Sequence, residues 1–389
     1  MSDGEPTPEI DHLTDVLHPR ENTALFGHQA ASRDLANAFA SGRIHHAWML
    51  CGREGIGKAT LAYRLARHIL SAPLEAGAGA GLFGDASPDA APDDDPLASD
   101  PMAPASRQVM ALSHPGLLVL RRQWDAKRKK FGTMIAVDEV RKLRSFLGLS
   151  ASDGGWRIVI VDRAEEMNVN AANALLKSLE EPPQRCLFLL IAAEPGRLPI
   201  TIHSRCRRLT LNPLDAGEMQ AAIEHVGNHS DVSLPDTVDW ETLHRLAQGS
   251  VRRALVLTGE DGLTLYDELV QLLGVLPHLD WPRVHGMAES LALVARETRY
   301  NLMLDLLQDV LARMIRLATV EGADDRSDAE AAIARRVVAE GNLAQWSCVW
   351  ERLARERAEV RLLNLDRQNF ILSVFQWIEA AARNSARAA

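Results

Sequence analysis

Cysteine is scarce: Cys51, Cys186, Cys206 and Cys348 are spread over 389 residues with no Cys-x-x-Cys pair. That spacing argues against a disulfide framework and against a four-cysteine zinc site. A reducing, cytoplasmic setting is the plain expectation. Long apolar runs are missing too. Cys186–Ala193 is among the longest, with eight residues, whereas a membrane span needs about 18, so no membrane association is expected. The opening Met-Ser-Asp-Gly-Glu-Pro has no basic start and no apolar stretch, and no secretory signal is expected. Excess positive charge is also absent, since the formal net charge is -9. A chain whose whole surface grips nucleic acid is thereby excluded, and any such role has to be local or shared with partners. Only six of the 43 basic residues are lysines, all between Lys58 and Lys177.

What remains is a globular composition, 47% apolar and 24% charged, at a length that implies two or three domains. Residues 21–70 open an α/β pattern. Ala47-Trp48-Met49-Leu50 is a short apolar run before glycines, as a buried parallel strand would be. After Lys58, the residues Leu61, Ala62, Leu65, Ala66, Ile69 and Leu70 form one helical stripe. Residues 71–107 carry six prolines, four glycines and seven acidic residues against one basic residue, Arg107. So little apolar content does not offset ordering entropy, and a disordered acidic insertion is expected there. Strands are predicted at Leu117–Leu120, Trp156–Asp162 and Leu187–Ala193, and helices over Val137–Leu147 and Ala171–Glu181, the latter with Leu175, Leu176 and Leu179 inward. Pro182-Pro183 stops that helix. Lys127–Lys130 is read as a solvated basic loop in preference to a nucleic-acid patch. Strand alternating with helix implies a parallel sheet covered on both faces. After about Leu211 the pattern becomes helical only. The predicted division is an α/β core over 1–212, a small helical unit over 213–262, and an all-helical domain over 263–389. In that last domain Met303, Leu306, Leu307 and Val310 form a core stripe.

Four motifs carry chemistry. The sharpest is Gly52-Arg-Glu-Gly55-Ile-Gly57-Lys58-Ala59-Thr60, between a predicted strand and a predicted helix, the setting a phosphate-binding loop requires. Glycines let backbone N–H groups wrap a phosphate, the helix N-terminus adds partial positive charge, and Lys58 would reach the β- and γ-phosphates. One position departs from the pattern. The residue after the lysine should carry a hydroxyl for Mg²⁺, but it is Ala59. Thr60 comes one place late, about 100° further around the helix. The second motif is the apolar strand ending in Asp162, a Walker B pattern in which Arg163 stands where an ATPase of this class has a water-orienting glutamate. The nearest carboxylates are Glu165 and Glu166. The third is Ser204-Arg205-Cys206, where Arg205 is either a structural surface residue or an arginine that stabilises phosphoryl-transfer charge on a neighbouring subunit. The fourth is Gly249-Ser-Val-Arg252-Arg-Ala-Leu255, from which Arg252 would reach a γ-phosphate.

Together with Asn170-Ala-Ala-Asn-Ala-Leu-Leu-Lys-Ser-Leu-Glu-Glu-Pro-Pro183, His45-His46-Ala47 and Asn364-Leu-Asp-Arg367, these motifs resemble the bacterial clamp-loader subunits of the AAA+ class. The resemblance spans nearly the whole chain apart from 71–107 and is most specific over 160–208. It implies a RecA-like AAA+ core, a helical lid and a C-terminal helical collar, working in a ring with γ/τ and δ subunits that opens a sliding clamp and places it on primed DNA. Two types in that family share the layout, the γ/τ motor and the δ′ type, which keeps the fold and Ser-Arg-Cys without full ATPase machinery. Ala59 and Arg163 point to the δ′ type. ATP or ADP is implied as a ligand, held by Gly52, Gly55, Gly57, Lys58, Ala59, Thr60, Asp162 and Arg252, with Arg205 acting in trans. The family commonly carries a four-cysteine zinc module ahead of the segment that is Ser113-His114-Pro115 here. The stretch 71–107 has no cysteine, and no zinc is expected. An active motor is the competing reading. A P-loop enzyme unrelated to replication, such as a small-molecule kinase, leaves the helical C-terminal third and Ser-Arg-Cys unexplained.

Overall fold

The computed structural model describes residues 8–10, 12–13, 15–72, 95–148, 155–230, 238–319, 328–363 and 365–385. The chain divides into two compact units, Met1–Ala254 and Leu255–Ala389.

The first unit opens with α1 (Gln29–Ala40), β1 (Ala47–Cys51), α2 (Lys58–Ser71), α3 (Pro104–Met110) and β2 (Leu117–Leu120). A hairpin of β3 (Trp124–Asp125) and β4 (Lys130–Phe131) leads to α4 (Val137–Gly148), β5 (Arg157–Val161), α5 (Val169–Glu180) and β6 (Cys186–Ala192). Then come α6 (Ile200–His203), β7 (Arg207–Thr210), α7 (Ala216–Asn228), α8 (Trp240–Ala247) and α9 (Val251–Gly259), the last running past the division. Five strands form one sheet in the order β2-β5-β6-β1-β7, and every neighbouring pair is parallel. The parallel sheet covered on both faces that strand–helix alternation implied is therefore present.

Alternation along each strand divides the core into two layers. Trp48, Leu50, Ile158, Ile160, Leu187 and Leu189 face one way with Leu35, Leu61, Leu65 and Val109 from α1, α2 and α3. Met49, Cys51, Val159, Val161, Phe188 and Leu190 face the other way with Val140, Leu143, Leu175 and Leu179 from α4 and α5. Strands buried on both faces read as unbroken apolar runs, which is why β1, β5 and β6 were legible. The edge strand β7 is different. Its first residues are exposed arginines, and such charges protect an edge from further pairing.

Two expectations need correction. The disordered span is not 71–107. The helix α2 runs through Ser71, and residues 95–107 are packed, with Leu97 fully buried in the α2 layer and Arg64 ion-paired to Asp95. Proline at the start of α3 suits a helix, because its first turn needs no N–H donor. Composition misled because a few well-placed apolar residues are enough to dock a strap. Residues 73–94 lie outside the described residues. In α5, Leu175 and Leu179 are buried as expected, and Leu176 is half-buried against the same core. That helix begins earlier than expected, because Asn168 caps it by accepting from Ala171 N–H at 2.8 Å.

The second unit holds α10 (Gly262–Gly274), α11 (Trp281–Ala292), α12 (Glu297–Thr319), α13 (Asp328–Val337), α14 (Leu343–Leu363) and α15 (Arg367–Ser385). The stripe Met303, Leu306, Leu307 and Val310 is fully buried on α12. A polar staple lies beside it. Glu330 of α13, 1% exposed, accepts from Tyr266 Oη at 2.6 Å and from Arg313 Nε and Nη2 at 2.6 and 2.9 Å.

Candidate nucleotide-binding site and the Ser-Arg-Cys edge

In an open parallel sheet, ligands are bound where loops leave the C-terminal ends of the strands. Three of the predicted motifs meet at that edge. The loop Gly52–Gly57 follows β1, Asp162 and Arg163 follow β5, and β6 lies between those two strands. The glycines are required by contact as well as by φ. A side chain at Gly52 (φ 146°) would lie 2.5 Å from the Leu211 carbonyl oxygen, and one at Gly55 (φ 75°) would lie 2.4 Å from the Ser250 Oγ and the Arg252 Cβ. Gly57 (φ 106°) starts α2 as its N-cap. A glycine cradle at a helix N-terminus fits the phosphate chain of a nucleotide. Magnesium chemistry fits less well, since Ala59 follows Lys58 and Thr60 is buried in the helix.

Lys58 is turned back into its own loop. It is 5% exposed, and its ammonium donates to the carbonyl oxygens of Gly52, at 2.7 Å, and of Arg53. Burial lowers its pKa to about 8, against the pull of Glu165, Glu54 and Asp162. Asp162 is buried at the end of β5, its N–H donating to the Leu120 carbonyl at 2.9 Å. Glu165 is held by the backbone beyond β6, where its Oε1 accepts from Ala193 N–H at 2.9 Å. His28 closes the other side, with its Nε2 2.7 Å from the Ile56 carbonyl, and desolvation lowers its pKa.

Arg163 sits in the left-handed region at φ 52°. Its guanidinium reaches over the loop to the Glu54 Oε2, at 2.5 Å, and back to the Glu166 Oε1, at 3.1 Å. Burial alone would lower its pKa, but Glu54, Glu166 and Asp162 together hold it above the ordinary arginine value. Burial raises the Glu166 pKa, with Arg163 and Arg122 opposing, and Arg122 Nε lies 2.6 Å from the second Glu166 oxygen. Arg252 approaches from α9. Its Nε is 3.3 Å from the Glu54 Oε1, and its backbone N–H points at the Gly55 carbonyl at 3.4 Å. Arg53 is paired with Gln248 just before α9. Alternating charges thus run Arg252–Glu54–Arg163–Glu166–Arg122 across the mouth of the site. The sequence reading placed Arg252 near a phosphate and singled out Arg163 as a lesion. It missed Glu54 as the group joining them, because nothing local marks a glutamate between a P-loop arginine and glycine.

Arg205 lies elsewhere. It lies two residues before the start of β7, whose register pairs Arg207 with Trp48 and Thr210 with Cys51. Since β7 is parallel to β1, Arg205 is at the N-terminal edge of the sheet and the phosphate loop is at the C-terminal edge. The four residues of β7 span about 13 Å at roughly 3.3 Å each. Its Nη2 is 2.6 Å from the Glu180 Oε1, and its Nη1 donates to the Thr201 carbonyl at 2.9 Å, leaving the side chain 33% exposed. Glu180 at the end of α5 is a second residue the sequence reading did not single out. The basic run Lys127–Lys130 forms the exposed tip of the β3–β4 hairpin, folded back on the Asp125 carboxylate.

Residues 89–215 match the family described as DNA polymerase III, delta subunit. The DNA polymerase III subunit tau of Escherichia coli is 28% identical over 263 residues, covering 66% of this chain and 36% of that protein. The DNA polymerase III subunit delta' of Pseudomonas aeruginosa is 39% identical over 161 residues, 41% of each chain. The chain is thus similar, over part of its length, to tau and delta' subunits of DNA polymerase III. The matches span about two fifths or less of those relatives' own length. A gamma-subunit-related protein of Thermotoga maritima overlays with a TM-score of 0.41 at 16% identity, over 90% of this chain and 99% of that one. No described helix is long and apolar enough to cross a membrane, and among the described residues no group of three or more His, Cys, Asp or Glu is placed to hold a metal ion.

Proposed function

We propose that this chain is a δ′-type subunit of a DNA polymerase III clamp loader. It is a ring member that hydrolyses little or no ATP, works with γ/τ and δ subunits to place the sliding clamp on primed DNA, and lends Arg205 to a neighbour's nucleotide. Its layout is read as an AAA+ core to residue 212, a lid over 213–262 and a collar from 263. The carrying observation is Arg163. At the position of the water-orienting glutamate stands a cation engaged by Glu54 and Glu166, and Ala59 supplies no hydroxyl for Mg²⁺. When bound, a nucleotide would be held by Gly52, Gly55, Gly57, Lys58 and Arg252, with Thr60 and Asp162 behind them. The chain's part is then to bind and orient phosphates and to keep its own charge network closed.

The motor reading has two observations in its favour, the retained loop Gly52–Lys58 and the 263-residue match to tau. Co-purification with γ/τ and δ subunits, followed by ATPase assays of the isolated chain and of the complex, separates the two. The δ′-type reading requires assembly and no turnover by the chain alone. Robust turnover alone establishes the motor, and failure to assemble removes both.

A further inference from the structure

Two arginines converge on one residue of the phosphate loop. Arg163 arrives from the end of β5 and Arg252 from α9, and they take opposite oxygens of Glu54, at 2.5 and 3.3 Å. The contact is tightly fitted. The Arg252 Cβ and the Ser250 Oγ would each lie 2.4 Å from a side chain at Gly55, and the Arg252 N–H points at the Gly55 carbonyl. Lys58 meanwhile spends its ammonium on the carbonyls of Gly52 and Arg53. Lys58, Arg163 and Arg252 thus each have an acceptor supplied by the loop itself.

We infer that Glu54 is a built-in anion of the phosphate site. Its carboxylate holds together the core arginine and the lid arginine that a nucleotide's terminal phosphates would otherwise draw, so a phosphate ligand has to displace it. The inference rests on the nucleotide-site reading above and adds what that reading leaves open, namely why the lid helix closes on the loop and what a ligand competes with. Carboxylate and phosphate both accept two parallel hydrogen bonds from the planar guanidinium fork, so one can replace the other on the same donors. Glu54 is half-exposed, so exchange requires rotation of its side chain and no unfolding.

The test measures ATP affinity by calorimetry, in EDTA, with the full chain, Glu54→Gln, and Glu54→Gln combined with Arg252→Ala. A hydrogen bond to a charged group contributes enough that releasing two arginines should tighten ATP binding by about tenfold or more in Glu54→Gln. Most of that gain should vanish in the double variant. Equal or weaker binding by Glu54→Gln overturns the inference. So does a gain that survives intact in the double variant, since it would then reflect only the removal of a repelling charge. Lys58→Ala tests the underlying reading by itself. If it binds ATP as the unaltered chain does, the nucleotide-site reading fails and the inference fails with it. If Lys58→Ala loses binding and Glu54→Gln leaves it unchanged, only the built-in anion is lost.

Discussion

Lys58 illustrates how far a single residue's environment departs from its sequence motif. Its identity and spacing announce a phosphate ligand, but its burial lowers its pKa to about 8, which the motif does not encode. A phosphate beside it would favour the charged form and raise that value. Near pH 8 about half the lysines are neutral, so ATP binding should take up roughly half a proton, and close to none at pH 6.5, where the ammonium is already charged. Calorimetry in two buffers of different ionisation enthalpy reads this directly, and a buffer-independent heat at pH 8 contradicts it. The stability sign follows from the same shift. The folded pKa lies below the unfolded value of 10.5, so between about pH 8 and 10.5 the unfolded chain binds more protons. Lys58 therefore opposes folding at neutral pH, and that penalty is relieved as pH rises through this window. Arg163 and Ala59 lead to a simpler outcome. Phosphate release from ATP by the isolated chain should stay at the background rate, and steady-state turnover above it contradicts the loss of both groups.

At the scale of elements, the strap over 95–107 departs most from the sequence reading. Leu97 is fully buried against α2 and its neighbours, and Ser106 and Val109 are buried beside it. Leu97→Ala should cost about 2–5 kcal/mol, as for other buried leucines. Replacing 71–107 by a short Gly/Ser linker should lower the melting temperature clearly, whereas a docking-free insertion would leave it unchanged. Thermal denaturation of both variants decides. The strands and helices facing the sheet were legible because burial on both faces imposes an apolar run or a helical stripe that composition alone displays. A strap held by one leucine, one ion pair and a short helix has no period, and its prolines and acids read as disorder.

At the scale of the whole molecule, two units with separate cores make distinct predictions. Glu330→Ala would remove the carboxylate that pairs with Arg313, only 14% exposed, and leave Asp309 as its remaining counter-charge. Breaking such a buried pair costs up to about 3–5 kcal/mol. Hydrogen exchange should then quicken in α10, α12 and α13 while β1, β5 and β6 keep their protection, and loss of protection in the sheet would contradict independent cores. Arg205 makes the prediction that reaches beyond one chain. Placed at the edge of the sheet remote from its own phosphate loop, it should leave folding nearly unchanged when replaced by alanine, since a partly exposed ion pair contributes little. The ATPase of an assembled complex should fall, and Arg205→Lys should restore it poorly because an ammonium lacks the guanidinium fork. Full activity of a correctly assembled Arg205→Ala complex would return Arg205 to a structural role with Glu180.

The sequence by itself determined the parallel sheet, the glycine loop before Lys58, the aspartate after β5 and the two departures at Ala59 and Arg163. Each depends on residue type at short range, where spacing and periodicity are visible. Only the tertiary structure decided what Arg163 and Arg252 do, that Lys58 faces inward, that Glu180 holds Arg205, and that residues 95–107 pack. Those facts depend on which side chains meet across long separations, as Glu54 meets Arg163 and Arg252. Charged residues on loops carry no period that would foretell their partners.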